Sequence, residues 1–172
     1  MAPASGEPVF LRDETMSEIE RLEEIVKKLR SENGCPWDRA QTHETLKPSC
    51  IEEAAEVICG INILKDTGDA ENLKEELGDL LFHVMLHAVL AEEEGLFTFE
   101  DVAKTISDKM VRRHPHVFED AVFESREAQL KAWEEIKKAE KAGKEWCADY
   151  LPEAFNEAEK FIQKARERKG YT

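Results

Sequence analysis

Two short acidic clusters hold the residues of this chain best suited to chemistry: Glu52-Glu53-Ala54-Ala55-Glu56 and, further along, Glu75-Glu76-Leu77-Gly78-Asp79. On a helix, three-residue spacing stacks Glu53 over Glu56 and Glu76 over Asp79, each pair about one turn apart on a single face. If the two stretches are antiparallel helices joined by a turn at 66–69, the pairs stand about equally far from that turn, so all four carboxylates reach one height. Four carboxylates in a partly desolvated cleft repel one another, and a hard divalent cation relieves that repulsion. Donors that are all oxygen suit Mg2+, with Mn2+ as a substitute. Because Mg2+ keeps several coordination positions for water and phosphate, such a site implies a phosphorylated substrate. The competing reading is a solvated Glu-rich face. The apolar residues around the acids (Ala54, Ala55, Val57, Leu77, Leu80, Leu81) argue for at least one inward pair, and Gly78 suggests close helix approach or ligand access.

A second group, Lys109-x-x-Arg112-Arg113-His114, is basic in a chain whose formal charge is −14. Lys109 and Arg113 are four apart and share a face. They fit phosphates beyond a metal, against the blander reading of a cationic C-terminal turn. Trp133 fits either stacking on a base or filling a core. His83 and His87 permit a mixed metal site with Asp79, although hydrogen-bonded structural histidines fit them better. The sequence offers no nucleophilic triad and no Gly-rich phosphate loop. The cysteines at 35, 50, 59 and 147 form neither a C-x-x-C pair nor a disulfide framework, which points to reduced thiols.

These groups need helices to position them. Only 8 Gly and 6 Pro among 172 residues, with 36% charged, indicate long amphipathic helices and an all-α fold. Ser17-x-x-Glu20 has capping-box form ahead of Ile19, Leu22, Ile25, Val26 and Leu29, and Asn33-Gly34 ends that helix. Cys35-Pro36-Trp37-Asp38 reads as a turn in which Trp37 supplies packing surface. Ser49-x-x-Glu52 is the expected start of a helix to about Leu64. The next helix runs from about Asp69 to Gly95, another from Val102 to Arg113, another from Ser125 to about Lys141, and a charged one from Pro152 to Arg168. The expected organisation is an arm over 1–16, a domain over 17–142 and a charged helical extension over 143–172. The net charge disfavours nucleic-acid polymers, and no stretch has the roughly 20 apolar residues of a membrane span, so a cytoplasmic protein is expected.

Taken together, Cys35-Pro36-Trp37-Asp38, Gln41-Thr42-His43, the E-E-x-x-E run at 52–56, E-L-G-D at 76–79 and Arg112-Arg113-His114-Pro115-His116-Val117-Phe118 resemble the MazG family of nucleoside triphosphate pyrophosphohydrolases. The resemblance covers about Ile19 to Lys137. It implies a dimerising helical bundle of the all-α NTP pyrophosphatase type, which hydrolyses NTPs or dNTPs at the α-phosphorus to NMP and pyrophosphate with Mg2+. By motif position, Glu53, Glu56, Glu76 and Asp79 would ligate metal, Lys109 and Arg113 would bind phosphates, and Trp133 would sit near the base. Glu52 or Glu75 could assist removal of a proton from the attacking water, although each points roughly 100° away from its neighbouring ligand. One copy of the domain favours a homodimer.

Two other readings compete. A carboxylate-bridged di-iron bundle requires Glu-x-x-His pairs, and no histidine here has Glu three residues before it. The remaining alternative is a non-catalytic acidic helical adaptor or a nucleotide-binding regulatory protein.

Overall fold

The computed structural model describes residues 15–171, which are helical with no strand among them. Most of the arm expected over 1–16 therefore lies outside the described residues. The chain divides into two compact units between Thr98 and Phe99.

In the first unit, α1 (Glu18–Arg30) begins with the expected capping box: the Ser17 hydroxyl accepts from the Glu20 amide, and Glu20 accepts from the Ser17 amide at 2.7 Å. A short α2 (Pro36–Arg39) follows, with Pro36 in its first turn, where a missing N–H costs nothing. Its packing differs from expectation. Trp37 is 62% exposed, and it is Asp38 that is buried.

Helix α3 (Lys47–Thr67) starts before Ser49, so the proposed Ser49 cap is not used. Pro48 lies in the first turn instead, and the Ser49 hydroxyl donates to the Leu46 carbonyl at 3.1 Å. Gly68, at φ +79°, closes α3, and Asp69 accepts from the Glu71 amide as α4 (Glu71–Glu93) begins. Left-handed backbone of this kind is what glycine adopts without steric cost.

The C-terminal half of α4 is the core: His83, Met85, Leu86, Ala88, Val89, Leu90 and Ala91 are buried, together with Val26 of α1 and Leu46. Arg30 ties the elements around it. Its side chain is 7% exposed, its Nη1 donates to the carbonyls of Asp38 (2.5 Å) and Gln41 (3.3 Å), and its Nη2 pairs with Glu93 of α4 at 2.7 Å. Helices α3 and α4 approach closely at Gly60, where a Cβ would lie 2.8 Å from the Leu73 Cα. The close approach expected at Gly78 is not found: a Cβ at that position would have nothing within 4 Å and would face open space.

The second unit comprises α5 (Phe99–Arg113), a short α6 (Pro115–Phe118), α7 (Arg126–Glu140), a 3-10 turn at Glu145–Tyr150 and α8 (Leu151–Lys169). The Ser125 hydroxyl caps α7 by accepting from the Ala128 amide. Pro115 ends α5 as expected, because the residue before a proline is pushed out of helical conformation. No described helix is long and apolar enough to cross a membrane. The four cysteines are free.

Substituting the two glycines should give opposite results in urea denaturation. Gly60→Ala is expected to lose about 1–2 kcal/mol, because overpacking against Leu73 outweighs the gain in helix propensity. Gly78→Ala should be neutral or gain up to about 1 kcal/mol. Equal effects at the two positions would contradict this placement of the helix contact.

Candidate metal centre

The antiparallel α3 and α4 bring Glu53, Glu76 and Asp79 together, with one carboxylate oxygen of each within 4.8 Å of the others. Glu53 and Glu76 are half-buried and Asp79 is exposed, so the cluster opens to solvent on the Asp79 side. Glu56, expected as the fourth member, is not part of this converging set. Its charge nevertheless reaches Glu53. The Glu53 carboxyl is held above its ordinary value, first by burial and then by the negative charges of Glu56, Asp79, Glu76 and Glu52. Glu52 is half-buried beside the cluster, whereas Glu75 is exposed.

The donor set fits a hard divalent cation: all its atoms are carboxylate oxygens, they converge from two helices, and at least one acid is strained by the others' charge. Among the described residues, no histidine belongs to a group of three or more such donors. His83 is buried. Burial pushes its imidazole below the ordinary value, while Asp79 pulls in the opposite direction. His87 pairs with His43 of the connector: the rings stack with centroids 5.1 Å apart, and their Nδ1 atoms are 2.8 Å apart, one donating and one accepting. The His43–His87 pair thus joins the connector to α4, in keeping with a structural role for the α4 histidines.

Asn72 escaped the sequence reading. Its Nδ2 donates to Glu76 Oε1 at 2.8 Å and so fixes the orientation of that carboxylate. The available signal was i,i+4 spacing on one helix face.

The basic residues lie in the second unit. Arg113 and Trp133 line a cavity of about 250 Å3 with Met110, His116, Phe123 and Ile136, and Lys109 is not among its lining residues. The Trp133 ring carries Lys137 Nζ 4.2 Å from its centroid and the Arg113 guanidinium at 5.7 Å. Trp133 is therefore a platform for cations of its own chain. Glu140 of α7 grips Arg112 and Arg113, each at 2.6 Å, and it too was missed from the sequence, since it lies 27 residues from Arg113.

Comparison with known proteins bears on the same stretch. Residues 41–118 match the family model described as the MazG nucleotide pyrophosphohydrolase domain. The chain is 50% identical over 126 residues to a Thermotoga maritima protein named nucleoside triphosphate pyrophosphohydrolase/pyrophosphatase MazG, covering 73% of this chain and 46% of that protein. It is 48% identical over 130 residues to the Escherichia coli K12 nucleoside triphosphate pyrophosphohydrolase, covering 75% of this chain and 48% of the relative. It is also 50% identical over 124 residues to the uncharacterized protein YabN of Bacillus subtilis, covering 72% of this chain and 24% of that protein. The chain thus spans from about a quarter to about half of the length of these relatives.

The raised Glu53 carboxyl has a signed consequence. A group that binds its proton more tightly when folded costs nothing at low pH, and it destabilises increasingly as pH rises through its folded-state value. In EDTA, Glu53→Gln should therefore melt above the parent chain at pH 7.5, and the difference should vanish toward pH 4. Millimolar MgCl2 or MnCl2 should raise the melting temperature of the parent chain at pH 7.5 and have a smaller effect on Glu53→Gln. Identical melts in all four conditions would argue against a cation site here.

The matched stretch contains both acidic clusters and the Arg112–Phe118 motif, and over residues 41–118 the chain is similar to the MazG nucleotide pyrophosphohydrolase domain.

Proposed function

We propose that the protein is a cytoplasmic, Mg2+-dependent nucleoside triphosphate pyrophosphohydrolase that converts an NTP or dNTP to the monophosphate and pyrophosphate. The observation that carries this reading is the convergence of Glu53, Glu76 and Asp79 within a stretch that matches the MazG domain. Support also comes from the activity for which the Thermotoga maritima and Escherichia coli relatives are named.

Glu53, Glu76 and Asp79 would hold the divalent cation, with Glu56 beside them to complete its charge balance. When bound, the cation would supply Lewis acidity toward phosphate oxygens and lower the pKa of a coordinated water. The chain's own residues carry the remaining roles. Asn72 keeps Glu76 aimed at the cluster. Attack of water on the α-phosphorus forms a P–O bond as the α–β anhydride bond breaks, and pyrophosphate departs with the bond electrons. The water's proton passes to a neighbouring carboxylate. For that role Glu52, whose charge is felt at Glu53, is better placed than the exposed Glu75. Lys109 and Arg113 bind phosphate oxygens and favour the charge developing on the leaving group. Trp133 contacts the base. The MazG-like domain occupies 17–142, with 143–172 as an extension.

The same reading includes a homodimer. In α3 and α4, Ile58 is 60% exposed and Leu77 50% exposed, and Ile61 and Val84 are exposed with them. Leu77, expected to pack inward around the acids, is instead half uncovered by its own unit. A second copy would remove this apolar surface from water.

Incubation with a panel of NTPs and dNTPs in MgCl2 should release NMP and pyrophosphate rather than NDP and phosphate. Glu53→Gln and Asp79→Asn should each lose at least about a hundredfold in turnover, on the scale of removing one preorganised electrostatic group, with the helical circular dichroism unchanged. Full activity in both variants would refute the site, and no pyrophosphate from any nucleotide would favour an acidic helical adaptor. Sedimentation equilibrium should give a dimer that the double substitution Ile58→Asp, Ile61→Asp converts to monomer.

A further inference from the structure

Glu140 of α7 joins two arginines of α5, Arg112 and Arg113, through one carboxylate. Its Oε1 accepts from Arg112 Nε (2.9 Å) and Nη2 (2.6 Å), and its Oε2 accepts from Arg113 Nε (3.0 Å) and Nη2 (2.6 Å). Both guanidinium groups therefore spend the same edge on Glu140. A guanidinium has five N–H donors in a flat fork, and an acceptor on the Nε/Nη2 edge leaves the Nη1/Nη2 end available for a second oxyanion. The Arg113 Nη1 has no hydrogen-bond partner among the described residues, and the Arg112 Nη1 has only a long contact of 3.5 Å to the Asp108 carbonyl.

The surroundings cover the Arg113 half of this arrangement, while the Arg112 side chain is 53% exposed. Arg113 and Glu140 have side chains 16% and 15% exposed, and the Arg113 guanidinium also lies over Trp133. Such an ion pair is screened less by solvent than a surface pair. A long arginine left free would lose rotamer entropy on gripping a phosphate, and one already held does not. The cluster also stays cationic, because Arg112, Arg113 and Lys137 outnumber Glu140 and Glu134, the latter paired with Lys137 at 3.2 Å.

We propose that Glu140 is a positioning residue for phosphate recognition: it presents the free ends of Arg113 and Arg112 to the oxygens of a nucleoside triphosphate without touching the substrate itself. This rests on the reading of Arg113 as a phosphate ligand given above. The competing role is a purely structural tie between α5 and α7, which would affect folding but would not discriminate ligands by their phosphate count.

The test measures binding of an α,β-methylene nucleoside triphosphate and of the corresponding monophosphate to the full chain with Mg2+, by calorimetry, for the parent, Glu140→Gln, Arg113→Ala and the double variant. Arg113→Ala should weaken the triphosphate by about tenfold or more, as expected for a hydrogen bond to a charged group. Glu140→Gln should weaken it by about three- to tenfold and the monophosphate by less than about twofold, and it should add less than about twofold in the Arg113→Ala background. In turnover, Glu140→Gln should raise KM and also lower kcat, because Arg113 acts on the leaving group as well as on the bound phosphates, whereas a purely structural tie would leave both unchanged in the folded variant. Equal losses for both ligands, tighter triphosphate binding, or an unchanged affinity beside a weakened Arg113→Ala would overturn the proposal alone. No effect of Arg113→Ala would remove the phosphate reading and the proposal with it. Should Glu140→Gln fail to fold, the arginine Nε–H spectrum of the parent chain decides: the Arg113 signal should remain protected when the triphosphate analogue binds, and loss of that protection would mean that nucleotide and Glu140 compete.

Discussion

The contact between α3 and α4 governs the rest of the molecule. At Gly60 the absence of a side chain lets the two backbones meet against Leu73, and the antiparallel register that follows sets Glu53 level with Glu76 and Asp79. Electrostatics alone would drive those carboxylates apart. They stay together because they are carried on helices held elsewhere: the buried C-terminal half of α4, the Arg30 hub and the His43–His87 pair hold the first unit in shape whatever the acids prefer. Glu53 has its carboxyl held above the ordinary value by burial first and by the neighbouring carboxylates second, so a cation there would relieve both.

Helix α4 divides this work along its length. From His83 to Ala91 it is mostly buried, with Val84 exposed, and supplies stability. Before His83 it is largely exposed or half-buried and displays Asn72, Glu76 and Asp79. The two halves share one continuous backbone, so firm packing at one end limits how far the acids at the other can relax. A binding constellation built on helices in this manner is held more tightly than one built on loops.

The second unit solves the opposite electrostatic problem. A chain of formal charge −14 must keep a small cationic group from being neutralised by its many acids. Here one carboxylate, Glu140, meets two arginines, and Trp133 supports Arg113 and Lys137 through the negative face of its ring. Charge and orientation are set by the same few contacts.

Much of this was legible in the residues. Apolar periodicity located the long helices, Ser17 and Ser125 marked helix starts through their hydroxyls, and Gly95 marked an end, because these are local effects acting over three or four residues. The acidic clusters were likewise visible as spacing. What spacing could not convey was which side of each helix would be covered. Gly60 rather than Gly78 makes the close approach, Trp37 and Leu77 face outward although both are strongly apolar, and Glu56 stands beside the converging acids rather than among them. The partners of Arg30 and Arg113 were equally out of reach, since Glu93 and Glu140 lie far along the chain and meet them only after the helices pack. Helix formation and capping are decided by neighbours in sequence, whereas burial, ion-pair choice and the meeting of carboxylates are decided by the rotation of each helix about its axis, a quantity that only packing between helices sets.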